Sequence, residues 1–238
     1  MLRLLMIADD FTGALDTGVQ LAAHGIPTQV VVGQADLSAC SSTVLVVDTE
    51  TRHLSAAKAA EAVARLTRSA VENGVGCIYK KTDSALRGNI GAELAALLKA
   101  SGARNLPFLP AFPQIGRTTK KGVHYIDGVP VNESPFGIDP FEPVRCAEVT
   151  KLIHLQTDMP AQNLRLRKKT QRCALTTLPW LCRSALLHWI CRFCANVWAA
   201  SVPWLISAAT TCCCATPPAQ SIPSCSVSWR AIRWTVLF

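Results

Sequence analysis

Short apolar runs alternate with longer amphipathic stretches through the first 160 residues, and this alternation predicts a strand, helix, strand order. Leu2 to Ala8 reads as a strand. Thr12 to His24 has helical spacing and is closed by Gly25 and Pro27, because glycine reaches the left-handed region and proline cannot continue the hydrogen-bond ladder. Thr28 to Val32 and Thr43 to Val47 are β-branched runs with the length of buried strands. Ser55 to Asn73 predicts a long Ala-rich helix ending at Gly74, Cys77 to Lys80 a strand, Ile90 to Ala100 a helix before Gly102, and Leu106 to Pro110 a last strand. Val123 to Asp127 and Val129 to Asn132 flank a glycine and read as a hairpin, and Val144 to Gln156 reads as one more helix. Helices between buried strands imply an α/β fold: a mostly parallel sheet with helices on both faces, in three layers.

In such sheets ligands bind beyond the carboxyl ends of the strands, so chemistry is sought there. Asp9 and Asp10 fall at the end of the first strand, in "LLMIADDFTGALDTG". Neighbours on an extended segment point to opposite sides, so one carboxylate is expected to face the crevice while the other anchors the turn. Thr12 is the expected N-cap, and Gly13 allows close approach of a ligand. The alternative, that both acids only cap the helix and complement its dipole, stays open on spacing alone. A second stretch, "YKKTDSALRGNIGAEL", gathers Lys80, Lys81, Asp83, Ser84, Arg87 and Asn89 at another strand end, before a helix whose first N–H groups suit an anion. A merely solvated loop, with Asp83 neutralising Lys81, is the competing reading. The third stretch, Pro110 to Ser134, is a long loop and hairpin carrying Gly116, Arg117 and Thr118, with His124 read as packed or exposed rather than catalytic. G-x-x-x-x-G-K-[ST], G-x-G-x-x-G, H-E-x-x-H and G-x-S-x-G do not occur.

Composition changes the picture after Pro160. All 13 Gly and all 16 Asp+Glu lie before that point with 15 of the 24 Lys+Arg, giving a net charge of −1 there and +9 over the last 78 residues. The overall +8 is therefore an average over two unlike parts and argues for neither a nucleic-acid nor a membrane partner. The tail also holds all six Trp and 8 of the 11 Cys, with no glycine for turns and no acid to balance its bases. Translation in a wrong frame accounts best for such a text. Three other readings compete. "CRFC", Cys191 to Cys194, has the spacing of a zinc half-site, with Cys182, His188 and Cys212 to Cys214 as further donors, but lacks a matching second pair. Phe193 to Trp229 is uncharged, yet its apolar part is short for a span and interrupted by Asn196, Ser201 and Pro203. A secreted, disulfide-stapled tail fits poorly, because Met1 to Ile7 is too short for a signal peptide and runs straight into Asp9 and Asp10. The chain reads as cytoplasmic.

Taken together, "IADDFTGALDTGVQLAAHG", "KKTDSALRGNIGAEL", "PAFPQIGRTT", "GVPVNES" and "DPFEPV" resemble, in order, the N-terminal domain of the four-carbon acid sugar kinases. The likeness covers Met1 to Pro160 and stops at Ala161. It implies a substrate-binding domain over residues 1–160, and an aberrant tail over 161–238 in place of the family's glycine-rich nucleotide domain. The implied reaction moves the γ-phosphoryl group of ATP, with Mg²⁺, to the C4 hydroxyl of threonate, erythronate or 3-oxo-tetronate. The resemblance casts Asp10 as the catalytic residue, with Asp9 in support. Asp83 and Ser84 would meet hydroxyls, Lys81, Arg87 and Asn89 the carboxylate, Gly116 would belong to the substrate site, and Arg117 would face the phosphoryl path. With no glycine after Gly137, this chain alone is expected to bind no ATP and to be inactive. The alternatives are a non-catalytic sugar-acid-binding or regulatory module, or the partner of a separately encoded ATP domain; oligomeric state is left open.

Overall fold

The structure is a computed structural model, and it describes residues 1–163 and the strand Trp234–Leu237. The chain runs β1 (Leu4–Ala8), α1 (Phe11–Ala22), β2 (Thr28–Val32), β3 (Val44–Asp48), α2 (Ala56–Glu72), β4 (Cys77–Lys81) and α3 (Ile90–Ser101). Then follow β5 (Arg117–Lys120), β6 (Val123–Ile126), β7 (Val129–Pro130), α4 (Val149–His154) and β8 (Trp234–Leu237). The main sheet has the order β2-β3-β1-β4-β8, with every pair parallel.

Connectivity places the helices. From β1 the chain crosses to β2 on one side, whereas from β3 it crosses past β1 to β4 on the other. Right-handed crossovers in opposite directions put α1 on one face and α2 on the opposite one. Side chains agree: Leu5, Ile7, Leu45, Val47 and Ile78 share a core with Val63, Leu66 and Ala70 of α2 and Leu94 and Leu97 of α3. On the other face Gly18 of α1 lies so close to the sheet that an added Cβ would stand 3.1 Å from Val30 Cγ2 and 3.5 Å from Val46 Cγ2. Strands β1 and β3 are buried at all five positions, as expected for a parallel sheet covered on both sides.

Four expectations need correction. Asp10, not Thr12, is the N-cap of α1: its Oδ1 accepts from Gly13 N at 3.0 Å from an extended backbone. Leu106 to Pro110 is not a strand. Pro107 and Pro110 lack the N–H a ladder needs, while Leu106 and Phe108 still pack against the core, and the edge beside β4 is taken by β8. The long loop after Pro110 contains a three-stranded antiparallel sheet, β5-β6-β7, whose two-residue turns Lys121–Gly122 and Asp127–Gly128 have φ of 52° and 84°, and 50° and 86°. Two successive positive φ values match the twist of adjoining strands. Lastly, α4 begins at Val149 rather than Val144, because the preceding backbone is engaged elsewhere: Val144 N donates to Phe136 O and His124 N to Ala147 O. Expectations for residues 164–233, the zinc and membrane readings included, lie outside the described residues.

α4 also closes the start of α3. Gln156 Oε1 accepts from Gly91 N at 2.7 Å and its Nε2 donates to Gly88 O at 2.9 Å, so this helix start does not offer the Gly91 N–H to an anion. A Cβ on Gly91 would stand 2.6 Å from Ile153 O, a backbone atom that cannot step aside. Gly91→Ala is expected to lower stability by about 1–3 kcal/mol in urea unfolding; an unchanged midpoint would show that α4 shifts freely.

Candidate functional site

Register builds the site. Ala8 pairs with Asp48 on one side and with Lys81 on the other, so β1, β3 and β4 end at one level. Successive helices leave these strands on opposite faces, which opens a crevice at the carboxyl end of β1. The segment after β3 is drawn across that end, with Thr49 N donating to Ala8 O and Arg52 N to Asp9 O. It carries Arg52, which the motifs above do not include, into the centre.

Arg52 is the hub. Its Nε meets Asp9 Oδ2 at 2.8 Å, its Nη1 meets Asp10 Oδ2 at 2.8 Å, and its Nη2 stands 3.8 Å from Asp83 Oδ1. The two adjacent aspartates thus share one guanidinium, and Asp10 also anchors the turn as N-cap of α1. They differ in exposure: the side chain of Asp9 is 5% exposed and that of Asp10 27%. Burial alone would push the Arg52 guanidinium down, but the hydrogen bond and charge of Asp9, with Asp83 and Asp10 behind, raise it above its ordinary value.

A second fork continues the network. Arg87 Nε donates to Asp83 Oδ2 at 2.7 Å and Nη2 to Asp83 Oδ1 at 3.2 Å, a bidentate pair, while Nη1 lies 3.4 Å from Asp139 Oδ2. Burial pushes the Asp83 carboxyl up, but Arg87 and Arg52 outweigh it and hold it below the ordinary value. Asp83 therefore pairs with two arginines and acts on Lys81 only through its charge. The loop bends through Leu86, buried with φ 65°, a left-handed conformation uncommon for a branched residue. Lys81 Nζ donates to Thr82 O at 2.7 Å, and a Cβ on Gly13 would come within 3.3 Å of it. Burial lowers the Lys81 ammonium against the opposing pull of Asp9, Asp83 and Asp10.

Other expected residues are placed as supports. Asn89 Nδ2 faces the carbonyls of Thr51, Arg52 and Leu54 at 3.1, 3.4 and 2.8 Å, tying the helix start to the Arg52 loop. Ser84 offers its carbonyl to His124 Nε2 at 2.8 Å, and His124 Nδ1 accepts from Thr119 Oγ1 at 2.9 Å. His124 is fully buried; burial, the largest effect, pushes it below its ordinary value, so it joins the small sheet to the loop as a neutral ring. Gly116 has φ 73° and abuts Asp127. Arg117 stands 3.6 Å from the exposed Asp127 carboxylate, and its guanidinium carbon lies 5.1 Å from the centroid of Phe136, the same distance as that of Arg87. Asp9, Asp10, Lys81, Asp83 and Arg87 are thus brought to one rim, with Arg117 joined through Phe136. Arg52 and Phe136 were missed; the signal for Arg52 was its place after a buried strand, in "VVDTETR".

Asp9 Oδ1, Asp48 Oδ2 and Arg117 Nε are buried with no hydrogen-bond partner among the described residues. Burial, with Glu50, Asp10 and Asp9 nearby, raises the Asp48 carboxyl above its ordinary value. Among the described residues no three His, Cys, Asp or Glu side chains converge on one point. No helix among them is long and apolar enough to cross a membrane.

A parallel sheet with carboxylates and guanidiniums interleaved at its carboxyl rim defines an α/β domain for a small polar ligand. The chain belongs to the family described as the sugar-binding N-terminal domain, whose model matches residues 4–181, past the compositional break at Pro160. It is 38% identical to the D-threonate kinase of Salmonella typhimurium over 167 residues, covering 70% of this chain and 40% of that one. It is 33% identical to the D-erythronate kinase of Heliobacterium modesticaldum, covering 66% and 37%. A solved structure from Bordetella bronchiseptica, a domain of unknown function (DUF1537) with bound citrate in a domain-swapped dimer, superposes with a TM-score of 0.62 at 34% identity, covering 74% of this chain and 45% of that one. The chain spans about 40% of the length of these curated relatives.

Proposed function

We propose that this chain binds a four-carbon sugar acid at the rim formed by the ends of β1, β3 and β4, as the substrate-binding part of an ATP-dependent sugar-acid kinase acting at the C4 hydroxyl. The observation that carries the reading is the continuous network Asp10–Arg52–Asp83–Arg87, which sets acceptors and donors side by side where the sheet topology opens. Asp10, the more exposed of the paired acids, has lone pairs left after Gly13 N and Arg52 Nη1, so it suits a substrate hydroxyl as acceptor or base. Arg87 retains N–H groups beyond those on Asp83 and Asp139, and Lys81 adds a second cation; both suit the carboxylate. Relatives named for D-threonate and D-erythronate support an acid of this size. Phosphoryl transfer itself needs a nucleotide lobe outside the described residues; ATP would supply the phosphoryl group and Mg²⁺ would offset its charge. The domain's own part is to bind and orient the acid.

The test is calorimetric titration of the full chain with D-threonate. Arg87→Ala is expected to weaken binding by at least about tenfold, the loss typical of a charge-assisted hydrogen bond. Equal affinity of variant and parent would remove Arg87 from the site.

A further inference from the structure

Arg117 is only weakly neutralised. Among the described residues its Nε is buried without a hydrogen-bond partner, and the Asp127 carboxylate, on a 74% exposed side chain, is 3.6 Å away, too long for a hydrogen bond. Arg87, by contrast, is gripped by Asp83 and touched by Asp139. Both guanidinium carbons lie 5.1 Å from the centroid of the Phe136 ring, so the two cationic centres are separated by at most twice that distance. The ring is firmly seated. Phe136 N donates to Ser134 Oγ, Val144 N donates to Phe136 O, and Gly137 beside it leaves no room for a Cβ against Asn132 O.

Holding a guanidinium on an aromatic face has a specific chemical consequence. A carboxylate partner fixes an arginine by occupying its N–H groups, whereas a ring attracts the cation through its quadrupole and leaves the in-plane N–H edges unused. Those edges are the geometry that carboxylates bind in bidentate fashion. We propose that Phe136 is a positioning residue that orients Arg117 so that its Nη N–H groups, with those Arg87 has left, meet the carboxylate of the sugar acid; this rests on the sugar-acid reading above.

D-threonate binding by the full chain, followed by calorimetry, tests it. Phe136→Met, which keeps much of the volume but has no ring, is expected to weaken binding about tenfold, and Phe136→Tyr to stay within about twofold. With Arg117→Ala already present, Phe136→Met should cost about threefold or less, because the group it positions is gone. A purely structural role predicts the full tenfold loss in both backgrounds, and that result overturns the proposal. So does a Phe136→Met chain, or Phe136→Leu if the Met chain melts below the assay temperature, that binds like the parent. A parent chain that binds no D-threonate overturns the sugar-acid reading and this inference with it, and is told apart from the other outcomes before any variant is made.

Discussion

Lys80→Met is expected to lower the stability of the domain by about 3–5 kcal/mol, the usual penalty for removing one member of a buried ion pair. Lys80 is fully buried, its Nζ lies 2.7 Å from Glu93 Oε2, and Glu93 is 2% exposed. Glu93 Oε1 accepts from Thr51 Oγ1 at 2.5 Å, and Lys80 Nζ also donates to Lys81 O at 2.9 Å. The variant leaves a carboxylate inside the core with a single hydroxyl for company. A melting temperature lower by on the order of 10 °C is the matching thermal readout for a domain of this size. Replacing both partners, as Lys80→Met with Glu93→Leu, is expected to recover most of the loss, since no unpaired charge then remains. If the single variant loses less than about 1 kcal/mol in urea unfolding, water reaches Glu93 and the pair is not buried in solution. The pair also bears on the site, for it bolts the end of β4 to α3 and to the Thr51 turn, the two walls between which Arg52 and Asp83 face each other.

How much of this was legible in the sequence depended on what each residue's neighbours do. "LLMIA" and "VLVVD" are read as strands because sheet residues covered on both faces must all be apolar, and Asp9, Asp10, Lys81 and Asp83 are read as site residues because they stand where those runs stop. Leu106 to Pro110 has the same apolar signal without the strand, since apolarity reports burial while pairing needs N–H groups that two prolines lack. "RTTK" in β5 shows the reverse: a polar strand with no alternation, formed because its neighbour and two primed turns fix it. Asn89 lies beside the Arg52 loop, where its amide serves the backbone. Arg52 and Phe136 reach the network from 42 and 49 residues away from Asp10 and Arg87, distances over which local pattern carries no information. Only the β3-to-β4 crossover brings the first into place, and only the packing of the small sheet brings the second.

Arg52→Ala is expected to be the most damaging single change to the rim. The guanidinium sits among three aspartates, two of them at 2.8 Å, and its side chain is 10% exposed. Its removal leaves Asp9 buried with neither oxygen paired by a cation, and leaves Asp83 to Arg87 alone. A loss of about 3–5 kcal/mol at pH 7 follows from uncompensated buried charge, with D-threonate binding weakened by more than about a hundredfold because Asp10 loses its orientation. The pH dependence separates charge from packing. In the parent, the folded-state value of Asp83 is depressed below 3.8, so its stabilising contribution is complete above that value and is lost as the pH falls through the lower folded value. In the variant Asp83 loses one of the two guanidiniums that hold it low, so its folded-state value rises toward 3.8. The stability gap between parent and variant is therefore expected to narrow as the pH falls below 3.8 in urea unfolding, whereas a gap of constant size would assign the loss to packing. Arg52→Lys retains the charge but cannot span Asp9 and Asp10 with one planar fork, so it should recover less than half of the loss.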